Sequence, residues 1–194
     1  MFKQIMRSFM VVLLLSVNIL SLPEAKAAAT VPLTITVNGT LVISDADNDT
    51  MAGSNPTKNV SISVTPDLGA ATATGSANFR VRTNRSAWRL TAQRTASSAG
   101  GTGLADTDVM VDITKSNGSS ANASAGSLVA PFTAQTDLSS IPTAAPAVDV
   151  ISGTAKTSSA RDSANANNWF GVNTTYSVIP DFFYTPGTFS TTIT

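Results

Sequence analysis

Apolar residues recur at every second position in segment after segment of this chain, and no stretch repeats them at helical spacing. Val31, Leu33, Ile35 and Val37 alternate with Pro32, Thr34, Thr36 and Asn38. Val60, Ile62 and Val64 repeat the pattern, and so do Phe79 with Val81, Trp88 with Leu90, and Val109 with Val111 and Ile113. Side chains on a strand point alternately to opposite faces, so a period of two marks a sheet with one buried side. Val148 to Ser152, Thr174 to Ile179 and Thr188 to Thr194 add further strands. The whole predicts an all-β protein, an antiparallel Ig-like sandwich of about eight or nine strands.

Turn chemistry separates these runs. Asn38-Gly39 suits a tight turn, because both residues tolerate positive φ. Pro66-Asp67-Leu68-Gly69 is a second turn, and Asn84-Arg85-Ser86 a third. The last of these is expected to join 78–83 and 88–92 as a hairpin. Ala70 to Ala77 is small and Thr-rich and reads as an irregular edge. Ser116 to Gly126 is a low-complexity loop, and Thr157 to Asn168 is either a helical turn or a loop.

The first residues carry a different signal. Lys3 and Arg7 precede an apolar run from Phe9 to Leu22, Pro23 breaks it, and Ala25-Lys26-Ala27-Ala28-Ala29 supplies small residues. That order is the pattern of a cleavable secretory signal. The run is about 14 residues, short of the roughly 20 that span a bilayer. The expected organisation is a signal peptide over 1–29 and one β-sandwich domain over 30–194. No later segment is apolar enough to cross a membrane, so the processed chain is expected in the periplasm, outside the cell or at its surface.

Removing the signal leaves nine basic residues against eleven aspartates, and no glutamate. Such a balance lacks the basic footprint that nucleic acid requires. The chain has no histidine and no cysteine, which removes the commonest general base, the thiol nucleophile and the thiolate metal sites. Its serines sit in no Gly-x-Ser-x-Gly setting, and no pair of aspartates stands out as a glycosidase couple. The sequence therefore predicts a protein that is not an enzyme and holds no cofactor.

Three constellations invite a functional reading. Asp45, Asp47 and Asp49 alternate on one loop, a spacing that offers oxygens to calcium. Thr50 and Pro56, however, stand where a helix–loop–helix calcium site needs glycine and a bidentate acid, and Asp-rich loops also form plain solvated turns. Arg80, Arg82 and Arg89, with Arg85 and Arg94, could dock an anionic polysaccharide or a neighbour's carboxylates. They could equally form the charged outer face of a soluble sheet. Trp88, Trp169 and Phe170, with Tyr176, Phe182, Phe183 and Tyr184, could stack on sugars, although aromatics more often fill cores. Phe182-Phe183-Tyr184 cannot all face inward on a strand, so one of them should be exposed or covered by another chain.

The closing run Phe183-Tyr184-Thr185-Pro186-Gly187-Thr188-Phe189 resembles the last hairpin of bacterial secreted surface β-sandwiches, and Trp88-Arg89-Leu90-Thr91 resembles their Trp-x-Leu-Thr strand. The resemblance is to fimbrial or spore-coat-like subunits and WxL-type wall-binding domains. The chain departs from the first two in lacking a cysteine pair, and from the third in lacking a second Trp-x-Leu motif. The resemblance implies a structural or adhesive subunit of an extracellular layer, coat or filament, self-associating or meeting envelope proteins by strand addition. The alternative is a monomeric module that binds cell-envelope polysaccharide.

Overall fold

Alternation becomes a strand in this protein wherever a neighbouring segment is there to pair with it. The computed structural model describes residues 32–49 and 56–194. The expected signal peptide lies outside the described residues. The chain divides between Val37 and Asn38, and every strand belongs to the unit Asn38–Thr194.

Among the described residues, eight strands form two antiparallel sheets. The larger sheet places β2 (Ala73–Thr83) between β1 (Leu41–Asp45) and β8 (Phe170–Val178), followed by β4 (Val109–Asn117) and the short β6 (Thr136–Asp137). In the smaller sheet, β7 (Val148–Gly153) lies between β3 (Trp88–Ala92) and β5 (Gly126–Leu128). The register defines two ends of the larger sheet. Ala73, Val178 and Val109 lie side by side at one end, while Val81, Phe170 and Asn117 lie side by side at the other.

The core forms between the sheets from the inward phase of each strand. Val81, Val111, Phe170 and Val172 of one sheet meet Trp88, Val150 and Ile151 of the other, with Phe132 and Leu138 closing the side. The Trp88 and Phe170 rings meet edge to face at 5.6 Å, a preferred aromatic geometry. Trp88 lies against bare backbone. A Cβ on Gly153 would stand 2.1 Å from the indole, and one on Gly126 3.2 Å from it. The indole N–H donates to the Ala155 carbonyl at 2.9 Å, so the one polar atom of the ring is satisfied.

Several sequence expectations change. Residues 78–83 and 88–92 do not form a hairpin: β2 and β3 belong to different sheets. Trp88 must reach the inner face opposite Phe170, so the 84–87 connection crosses from one layer to the other. Asn38-Gly39 makes no hairpin turn either. The Asn84 carboxamide accepts from the Thr40 N–H at 2.7 Å and donates to the Asn38 carbonyl at 2.8 Å, standing in for a strand beside that backbone.

Ala73–Ala77 is the first half of the sheet's longest strand rather than an irregular edge. Its small side chains leave room for other chain to lie over it. A Cβ on Gly75 would meet Val60 at 2.7 Å and Ile62 at 2.9 Å. Residues 59–65 do alternate, with Val60, Ile62 and Val64 half-buried and their neighbours exposed, but they join neither sheet. Pro32–Val37 is likewise outside any strand. The closing segment pairs only through single bridges, Arg94 with Ile193 and Ser98 with Ser190. Thr157–Asn168 is a loop without helix.

Candidate functional site

The Asp45–Asp49 loop follows β1 and folds back over the outer face of the larger sheet. Its three carboxylates do not converge. Asp45 accepts from Lys58 Nζ at 3.3 Å, and Asp47 takes the same ammonium. Asp49 turns the other way, accepting from Arg82 Nη1 at 2.7 Å and Nη2 at 2.6 Å, from Arg80 Nη1 at 2.7 Å and from Ser44 Oγ at 2.5 Å. The positions a calcium ion would fill are taken by three cationic side chains. Among the described residues no acidic group of three is placed to hold a metal. The calcium reading of the sequence gives way to an ion-pair clasp, because Lys58 and the two arginines neutralise the loop from within the chain.

The clasp accounts for the protonation state of the loop. Paired hydrogen bonds from Arg82, with those from Ser44 and Arg80, hold the Asp49 carboxyl far below the usual aspartate range against the opposing effect of burial. The Asp47 backbone N–H, with Lys58 behind it, lowers Asp45. Lys58 is raised in turn, chiefly by Asp47.

Arg82 is buried on the outer face of the sheet, not displayed there. Its Nε donates to the Asn165 carbonyl at 3.0 Å and its Nη2 to the Ala166 carbonyl at 3.0 Å. One guanidinium thus ties β2, the Asp loop and the 157–168 loop together, a use its fixed fork of donors suits. Arg80 lies over the Trp169 ring at 4.4 Å. Arg89 is on the other sheet, exposed and only loosely paired with Asp149 at 3.5 Å. The three arginines the sequence grouped as a ligand face are therefore split. Arg80 and Arg82 are engaged by the protein itself, and only Arg89 is open to solvent.

Arg94, which the sequence grouped with the docking arginines, is instead a second internal tie. Its Nε donates to the Leu138 and Ile141 carbonyls, and its Nη2 to Asp106 at 2.6 Å. Beside it is an open cavity of about 410 Å³ lined by Ser97, Leu104, Asp106, Thr143 and Phe189 among others. Its only charged groups, Arg94 and Asp106, already satisfy one another, so it presents no free charge to a ligand.

Large apolar side chains also stand exposed. Leu33, Ile35 and Val37 are 81, 75 and 80% exposed. A second group stands at the Ala73–Val178 end of the larger sheet: Leu68 is 92% exposed, Ile179 66%, Phe182 71% and Phe183 75%. Scattered apolar side chains are normal on a surface, whereas clustered large ones mark contact sites. Phe182 and Phe183 are the aromatics the alternation argument left without a seat. Comparison with protein-family models, curated proteins and solved structures finds nothing that matches this chain.

Proposed function

We propose that this protein is an exported, non-catalytic structural or adhesive subunit of an extracellular layer, coat or filament, whose copies associate through exposed apolar segments. The observation that carries the reading is the run Leu33, Ile35, Val37, three large side chains in strand phase and each at least three-quarters exposed. Such a run exposed in water favours association, because burying each side chain contributes about 1.5–3 kcal/mol. Residues 59–65 offer it a place. They alternate in the same phase, belong to no sheet, and so leave an edge to which a strand can be added. The chemistry of the chain fits a scaffold role, with its charged clusters spent on internal ties and neither histidine nor cysteine present.

The polysaccharide alternative is weakened on its arginine side, since Arg80 and Arg82 are occupied by Asp49, and keeps only Arg89 and the exposed Phe182 and Phe183. The test is the assembly state of the processed chain by size exclusion and negative-stain microscopy. Concentration-dependent assembly, lost when Leu33, Ile35 and Val37 are all changed to Ser, is the expected result. A monodisperse chain up to high concentration, with a melting temperature raised by envelope glycans, would reverse the reading.

A further inference from the structure

The two ends of the sandwich differ in charge as well as in apolar exposure. At the Ala73–Val178 end, the exposed Leu68, Ile179, Phe182 and Phe183 are interspersed with Asp67, Asp108 and Asp181. Asp67 and Asp181 accept hydrogen bonds from the Leu68 and Phe183 N–H groups, which fixes these carboxylates beside the apolar side chains. Among the described residues, none of the three carboxylates is paired with a lysine or arginine. Tyr184, at the same end, is pushed up by burial and by the charges of Asp108 and Asp181.

The Thr83 end has the opposite sign. Arg85 follows β2 directly and is exposed, and Lys156 is exposed next to Thr157, whose N–H donates to the Thr83 carbonyl. Arg161 is exposed on the loop that Arg82 pins there, with Asp162 beside it bonded to the N–H groups of Ala164 and Asn167. Leu41, half-exposed, pairs with Thr83 at this end. The chain also enters the domain here, because Asn84 holds Asn38.

We propose that copies of this chain associate head to tail, the acidic, aromatic end of one molecule packing on the basic, Leu41 end of the next. The proposal rests on the subunit reading above and specifies its geometry. The partner is a second copy because the same chain carries both complements: exposed Phe182 and Phe183 at one end, exposed Leu41 at the other, and charges of opposite sign around them. Unlike surfaces at opposite ends make a heterologous contact, which generates an open row of molecules rather than a closed pair. Residues 59–65 run into the Asp67–Leu68 turn, so the edge available for strand addition leads to the same end that would receive the neighbour.

Charge reversal tests the polarity. Asp67→Arg with Asp181→Arg makes both ends basic, and Arg85→Asp with Lys156→Asp makes both ends acidic. Each double variant alone should need at least about tenfold more protein to assemble, because like charges then face each other across the contact. An equimolar mixture of the two should assemble again, since each basic end then finds an acidic one. Phe182→Ser with Phe183→Ser should abolish assembly while the melting temperature stays within the wild-type range.

Assembly of either charge variant at the wild-type concentration, a mixture that stays dispersed, or undiminished assembly of the serine variant would overturn the end-to-end contact. The subunit reading would survive any of these, since the wild type still assembles. A wild-type chain that stays monomeric throughout removes the subunit reading and this contact together.

Discussion

The Thr83 end of the sandwich is covered by its own chain, whereas the Ala73–Val178 end is not. At the covered end the indole of Trp88 lies on Gly153 and Gly126, Trp169 lies under Arg80, and Arg82 fastens the 157–168 loop across the sheet. At the other end Phe182 and Phe183 stand in solvent on a turn held by Asp181 and by Thr185, which bonds to the Gly101 and Thr102 carbonyls. Both ends are rich in aromatic rings, so composition does not distinguish them. What differs is the backbone around the rings. Glycines on two strands make a flat seat for Trp88, while a turn of consecutive bulky residues offers no inward phase for more than one of them. One end therefore takes its rings into the fold, and the other leaves its rings exposed.

The largest effect should come from the covered end. Trp88→Ala removes the ring that joins the two sheets and should cost about 3–5 kcal/mol in denaturant unfolding. Single domains hold about 5–15 kcal/mol in all, so this variant should be marginal at 37 °C. Gly153→Ala should act in the same direction without removing any contact, because the new methyl would occupy the indole's place. If Gly153→Ala melts with the wild type, the seat described for Trp88 is wrong.

Next in size is Arg82→Gln, which leaves Asp49 with Arg80 and Ser44 and strips the Asn165 and Ala166 carbonyls of their donor. A loss of about 2–3 kcal/mol is expected, together with faster amide exchange confined to the 157–168 loop. A loss spread evenly over the sandwich would mean that the clasp serves the core rather than the loop.

The same clasp should appear in acid. Asp49 has a folded pKa below its unfolded one, so the unfolded chain binds the extra proton as pH falls. Its contribution is complete above the ordinary aspartate value of 3.8 and drains away as pH drops through that value toward the folded one. Other aspartates titrate in this range too, so the informative quantity is the stability gap between wild type and Asp49→Asn. That gap should be widest near neutral pH and narrow from about pH 4 downward. A gap independent of pH would show that Asp49 is held by shape and not by charge.

The sequence carried the sandwich because alternation is local. Trp88 with Leu90, and Val109 with Val111 and Ile113, state their inward face within a few residues, and the strands formed where they indicate. It did not carry the ties that cross the fold. Asp49 and Arg82 are 33 residues apart and Arg82 and Asn165 are 83 apart, so no spacing rule joins them. The Asp-rich loop read as a metal site for the same reason, since its cations come from elsewhere in the chain. Ala73–Ala77 read as an edge because its β-propensity is poor. It is a strand because it pairs with β8 from Ala73 to Ala77, a tertiary effect that propensity does not contain. Phe182 and Phe183 are the converse case. Their failure to alternate was visible from the start, and it marked a surface with no partner inside the domain.

The smallest effect on stability, and the sharpest test of the difference between the ends, belongs to those two rings. Exposed side chains with no buried contact change stability by about 0.5 kcal/mol or less, and one kcal/mol moves the midpoint of a domain this size by about 2–4 °C. Phe182→Ser with Phe183→Ser should therefore melt within about 4 °C of wild type, where Trp88→Ala collapses. Aromatic content would then count for nothing without a backbone seat, and a thermal scan of the two variants side by side decides it. Should the double serine variant lose as much stability as Trp88→Ala, the turn must fold onto the sandwich in solution, and the two ends would be alike after all.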